Sequence, residues 1–126
     1  MPAWLDTLLG FFGRRPPGPP VSLAPEGDLL AEVNVTRGRD RAPFAPDPHL
    51  MTLAQRHAEQ MAARGQLWHQ PQVNEAVAAG YRDAYSCCRG WMMSAPHRDI
   101  VLGHYIRAGV GAAAGRGGPY WCLVVE

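Results

Sequence analysis

Two histidines and a glutamate, His69, Glu75 and His97, are the side chains in this sequence whose types could do chemistry together. One carboxylate and two imidazoles could fill three positions around a divalent metal such as zinc and leave the fourth open for water or a ligand. An open zinc would polarise a carbonyl or activate a water. The spacing is irregular and carries no His-Glu-x-x-His helix, the usual mark of such a centre. The same residues serve equally as a hydrogen-bonded cluster, with Glu75 orienting an imidazole and Ser94 capping a helix end. Ser94, His97 and Glu75 also have the residue types of a serine triad. No strand-turn-helix elbow surrounds Ser94, so hydrolysis by that route is disfavoured. His69, Glu75, His97 and Ser94 are the catalytic candidates, and His69, Glu75 and His97 the metal candidates. No cofactor is certain from these residues; a divalent metal such as zinc is the one they could accommodate.

The other reactive residue types read as structural. His57 falls on the apolar stripe of a helix, where a core histidine is expected. His49 and His104 are isolated. Trp91 and Trp121 should fill the core with their indole N–H groups bonded. Gly115-Arg116-Gly117-Gly118 is too short to cradle a phosphate. The three cysteines, Cys87, Cys88 and Cys122, are too few for a disulfide framework and lack metal-type spacing. They read as buried small hydrophobes, with a bridge to Cys122 open but unsupported.

The elements that must position these groups follow from periodicity. Leu29, Leu30, Val33 and Val35 suggest a first helix ending near Gly38. Asp47 or Pro48 opens a second, through about Gly65, with Leu50, Leu53, Ala54, His57, Ala58 and Met61 on one stripe. Residues 39–48 and 66–74 read as connections. A third helix is expected over 81–93, ended by Ser94-Ala95-Pro96, and a short helical turn over 97–102. Residues 105–114 and 119–125 read as strands joined by the glycine-rich turn. Helices followed by strands point to a layered α+β fold.

The chain has 126 residues, 47% of them hydrophobic and 18% charged, with a net charge of +1. That is one globular domain with no broad attraction for nucleic acid or anionic membrane. All twelve basic residues are arginine, which, with abundant Ala, Gly and Pro, we read as codon bias in a GC-rich genome. No segment is long and apolar enough to span a membrane. Residues 1–24 form a separate unit ahead of a domain over 25–126. In it, Trp4, Leu5, Leu8, Leu9 and Phe12 make one apolar helical face, followed by a proline- and glycine-rich spacer. We expect that face to bind a protein partner or assembly through residues 1–20, with packing back onto the chain's own domain as the alternative. The segment lacks the basic start of a secretory signal and carries Asp6 within its apolar run. A cytoplasmic or particle-associated setting, such as a virion, is therefore expected over Sec export.

Several tracts, in order, resemble the CAP superfamily (SCP domain) in its compact bacterial and viral branch. These are Leu29 to Arg37, Leu50 to Ala62, Leu67-Trp68-His69, Asn74 to Gly80, Trp91 to His97, Ala108-Gly109-Val110-Gly111 and Pro119-Tyr120-Trp121. Glu75 takes the glutamate place of the family's Gly-Glu-Asn-Ile box, and the Trp91–His97 tract resembles its Trp-x-x-Ser-x-x-His box. The resemblance implies a three-layer α-β-α sandwich around a small antiparallel sheet. It also implies a central cleft lined by two His and two acidic residues, sometimes holding zinc. Here Ser94 stands where the second cleft glutamate would be, and the loop from His69 to Glu75 is far shorter than usual. Our leading expectation is a non-enzymatic CAP-domain binding or structural module, tethered to a larger assembly such as a phage or virus-like particle. The rival is a cleft-based activity, either metal-assisted hydrolysis or capture of a small lipid or cell-wall ligand.

Overall fold

A computed structural model describes residues 26–126 of the chain, with side chains from Asp28 onward. The expected N-terminal helix and spacer, including Trp4, Leu5, Leu8, Leu9 and Phe12, lie outside the described residues. In chain order the elements are α1 (Glu26–Arg37), β1 (Ala45–Pro46), α2 (Pro48–Arg64), β2 (Asn74–Ala79), α3 (Ala84–Met92), α4 (Ala95–Val101), β3 (Arg107–Gly115) and β4 (Gly118–Val125). The sheet order is β1-β3-β4-β2. Strands β3 and β4 form the expected hairpin, β2 runs antiparallel to β4, and β1 lies parallel to β3.

Period-two alternation along β4 divides the core. Trp121, Leu123 and Val125 face a cluster with Leu29, Val33, Trp91 and Val110, built on α1, α3 and α4. Tyr120, Cys122 and Val124 face the other way, onto Leu50, Ala58 and Met61 of α2. Helices on both faces of one sheet make the three-layer α-β-α arrangement.

Helix α2 has the boundaries its sequence demands. Asp47 is the N-cap and accepts from Leu50 N, and Pro48 follows at the first helical position. Gly65 ends it in the left-handed conformation with φ 64°. The helix lies against β3 closely enough that a Cβ on Gly109 would sit 2.0 Å from the Leu50 carbonyl carbon. A Cβ on Gly111 would sit 2.5 Å from Gln55 Cα. That approach lets α2 cover the strand edge that β1, two residues long, leaves open. The Gln55 carboxamide accepts from Ala112 N at 3.0 Å and donates to Ala112 O at 3.0 Å, as a neighbouring strand would.

Three points go beyond or correct the sequence reading. Residues 74–79, of which only Asn74 had been read, as part of a connection, are a strand; Glu75 to Ala79 are all buried, so no in-out alternation marks them. Residues 45–46 form a short edge strand inside what read as a connection, its second residue a proline. The third helix starts at Ala84 rather than 81. Asp83 caps it by accepting from Ser86 N, and the Tyr81 carbonyl is taken by Trp121 Nε1 at 2.9 Å. The three cysteines are buried free thiols. Among the described residues no helix is long and apolar enough to cross a membrane.

Helix α4, which carries His97, is held by two arginines. Arg37 is only 4% exposed, and its guanidinium stacks 3.7 Å from the Phe44 ring centroid. It donates to Val101 O at 2.7 Å, Gly103 O at 2.9 Å and Ala42 O at 2.8 Å. Arg41 Nε donates to Leu102 O at 2.8 Å. These bonds satisfy carbonyls at the end of α4 that have no helical partner. Burial, then the nearby Arg41 charge, lowers the Arg37 pKa from its ordinary value. We expect Arg37→Lys, which keeps the charge but loses the planar fork, to cost about 2–3 kcal/mol. Urea unfolding measures this, and an unchanged midpoint would show that the fork does not hold α4.

Candidate functional site

The site forms where β2 enters the sheet, and it draws on all three layers. Glu75 lies on the β2 face that carries Val77 and Ala79, turned toward α2. Its side chain is 1% exposed. A carboxylate so deep needs several donors, because desolvation of a bare charge costs many kcal/mol. It has them. His69 Nδ1 lies 3.1 Å from Oε2, Gln70 N donates to Oε2 at 2.7 Å, and Gln70 Nε2 donates to Oε1 at 2.8 Å. His57 Nε2 is 3.7 Å from Oε2, beyond hydrogen-bond reach, and the Cys122 thiol is 3.8 Å from Oε1.

Burial is the largest single influence on Glu75 and pushes its pKa up. The bonds from His69 and from the Gln70 side chain and backbone, with His57 nearby, together outweigh it and hold the group below its ordinary 4.5. Glu75 is therefore a carboxylate at neutral pH and can only accept. His69 must donate from Nδ1, which leaves Nε2 as the nitrogen turned away from Glu75 on a ring 53% exposed. The bond to Glu75 raises the His69 pKa above 6.5, against a smaller effect of desolvation.

His97 comes from α4, on the opposite side of the sheet from α2, and is 3% exposed. Burial, and secondly the charge of His69, lowers its pKa from 6.5 to about 4. His97 is thus a neutral imidazole at pH 7 and lies within electrostatic reach of His69. The structure brings His69 and Glu75 into direct contact and places His97 beside them. Ser94 holds the N-cap position of α4, but its side chain makes no capping bond, contrary to the capping role expected for it.

His57 is the expected core histidine, 1% exposed, yet it also walls the site. Its Nε2 donates to Trp68 O at 2.7 Å, and its ring meets the Trp68 ring edge-on at 5.1 Å. Gln70 was not among the sequence candidates. The available signal was indirect: a buried glutamate needs donors, and Gln70, Gln72 and Asn74 are the polar residues nearest it in the chain. Among the described residues no group of three or more His, Cys, Asp or Glu could hold a metal ion. Glu75 accepts its bonds from His69 and Gln70.

A helical layer on each face of a four-stranded sheet, with a His-Glu-His group at the sheet's margin, defines the class. The chain belongs to the CAP family, the cysteine-rich secretory protein family, whose pattern matches residues 30–126. Solved structures agree on the fold. An outer surface protein from Borrelia burgdorferi superposes with a TM-score of 0.68 at 13% identity, over 77% of this chain and 87% of that one. An extracellular protein containing an SCP domain from Bacillus anthracis gives 0.68 at 20% identity, over 89% of this chain and 45% of its own. A cysteine-rich secretory protein from Staphylococcus aureus gives 0.60 at 17% identity, over 79% and 37%. The chain spans under half of the last two proteins. No curated protein sequence matches it.

His97 has a pH signature with a definite sign. Its folded pKa lies below its ordinary 6.5, so between 6.5 and about 4 the unfolded chain binds more protons at this residue. His97 costs nothing above that window and progressively destabilises the fold as pH falls through it, by on the order of 2–3 kcal/mol at the bottom. His69 has the opposite sign, since its stabilisation is present below 6.5 and lost as pH rises through its raised pKa. Melting temperatures of wild type and His97→Gln across the window separate the two effects. The variant's curve should lose less on acidification, and parallel curves would show that His97 is not held neutral.

Proposed function

We propose that this protein is a non-enzymatic CAP-domain binding module. The His69–Glu75–His97 group takes a small polar ligand, and residues 1–20 tether the module to a larger assembly, for which we suggest a phage or virus-like particle. The observation that carries the reading is the state of Glu75. It is buried and already engaged by His69 and Gln70, so it orients an imidazole but has no reach to a substrate. Ser94 sits at a helix N-cap rather than on a nucleophile elbow, which speaks against a serine nucleophile. What is left for a ligand is a pair of imidazoles, one half-exposed and one buried. Such a pair can recognise hydroxyl and amide groups of the kind found on cell-wall fragments or lipid headgroups.

One observation favours a second reading, a cleft-based hydrolysis. The neighbouring imidazoles have pKa values pushed apart, His69 up and His97 down to about 4, as in an acid–base pair. The compartment is likewise part of the proposal. The N-terminal residue pattern supports a particle-associated or cytoplasmic setting, whereas the similar solved structures are titled as outer-surface, extracellular or secretory proteins.

Two measurements test the module. Soluble cell-wall fragments and short-chain phospholipid should each be titrated into labelled protein. Shifts centred on His69 and His97, lost in His69→Ala, are expected from at least one. Release of hydrolysis products that depends on His69 would replace binding with catalysis. Removing residues 1–20 should abolish co-sedimentation with the assembly while moving the melting temperature little. Undiminished co-sedimentation would eliminate the tether.

A further inference from the structure

We propose that Arg64 and Trp68 form an oxyanion-binding patch beside this site, which selects fragments carrying a carboxylate or phosphate over neutral ones. The inference rests on the reading of the protein as a small-ligand module and names the ligand's chemical class. It makes no demand on the nitrogens of His69 or His97. Trp68 directly precedes His69, is half-buried, and is held from the protein side. Its carbonyl accepts from His57 Nε2 at 2.7 Å, and its ring meets the His57 ring edge-on at 5.1 Å. The Arg64 guanidinium, from the last turn of α2, lies over the Trp68 ring with Cζ 4.9 Å from the ring centroid. The stack holds a planar cation against a fixed indole before any ligand arrives, so less ordering is left to the binding step.

What these two side chains leave unmet is what points to a ligand. The indole N–H groups of Trp91 and Trp121 donate to Val77 O and Tyr81 O. That of Trp68 has no acceptor among the described residues and is not buried, so it is open to solvent. Arg64 is exposed and, among the described residues, has neither an ion pair nor a hydrogen bond. No acidic residue occurs from Gln60 to Asn74. The carboxylates on either side of that stretch are engaged elsewhere: Glu59 accepts from Gln55 Nε2 at 3.0 Å, and buried Glu75 accepts from His69 and Gln70. Arg64 and Trp68 thus present donors only.

A basic residue at the end of a helix also suits the helix dipole. A lysine would serve that end equally. Only a guanidinium combines stacking on an indole with two parallel N–H bonds to one oxyanion, and carboxylate and phosphate both offer the matching pair of oxygens.

Three probes separate the sources of the oxyanion. N-acetylmuramic acid differs from N-acetylglucosamine by a lactyl carboxylate, and glycerol 3-phosphate carries a phosphate without a sugar ring. Each is titrated into the labelled full chain while the Arg64 Nε–H and Trp68 Nε1–H signals are followed by NMR. Both signals should move with N-acetylmuramic acid, with glycerol 3-phosphate or with both, and the response should weaken as salt rises. Binding of N-acetylglucosamine should be at least about tenfold weaker than that of N-acetylmuramic acid. Arg64→Gln should erase that preference, and Arg64→Lys, which keeps the charge, should lose most of it. Trp68→Phe keeps a ring for the stack and should weaken binding a few-fold through the missing N–H. Equal affinity for the two sugars in wild type, or a preference left intact in Arg64→Gln, would overturn the patch. Shifts confined to His69 and His97 also overturn it, and leave the module reading standing. So does the absence of any response at Arg64 and Trp68 to all three probes.

Discussion

A buried carboxylate that must be satisfied is the constraint from which the site follows. Glu75 cannot stay ionised in the interior alone, and the fold meets that need with a loop rather than with a cation. The short connection from α2 to β2 wraps over the carboxylate and presents two donors from Gln70 and one from His69. An arginine would have neutralised the charge and left nothing reactive. Two amide donors and an imidazole instead pass part of the negative charge outward, to a ring half in solvent. The site's electrostatics are thus a by-product of how the burial was solved.

The rest of the architecture serves that wrapping. α2 must lie close to the sheet for His57 and Trp68 to wall the carboxylate, and the side-chain-free positions Gly109 and Gly111 on β3 permit it. On the other face, α4 must be fixed so that His97 stays buried near His69. Its C-terminal carbonyls are fastened to the end of α1 by the Arg37 guanidinium and to the connection after it by that of Arg41. Neither device touches the site. Each removes a degree of freedom from an element that carries one of its residues.

What could be read from the sequence tracks how local its cause is. α2 was legible at both ends because an aspartate cap, a first-turn proline and a left-handed glycine are local signals. The β3–β4 hairpin was legible from its glycine-rich turn. β2 was not, because a strand buried on both faces shows no alternation, and Ala76, Ala78 and Ala79 carry little strand preference. In the site, the convergence of His69 and Glu75, with His97 nearby, was anticipated from order along the chain and from family likeness. Gln70 was missed because its role exists only once Glu75 is buried, and burial is a tertiary fact. His57 was placed in the core rightly but given too little, since a core histidine on α2 is also the inner wall of the group.

The same dependence sets how the site can vary. A residue that binds ligand from a solvated loop can be replaced at little cost to the fold. Here the imidazole presented to solvent is held by a group the core cannot leave unpaired, so changes at Glu75 act on stability and on the placement of His69 together. Gln70 is the exception, because its backbone bond to Glu75 survives any side chain at that position except proline. The carboxamide bond can therefore be lost while one strong donor stays in place.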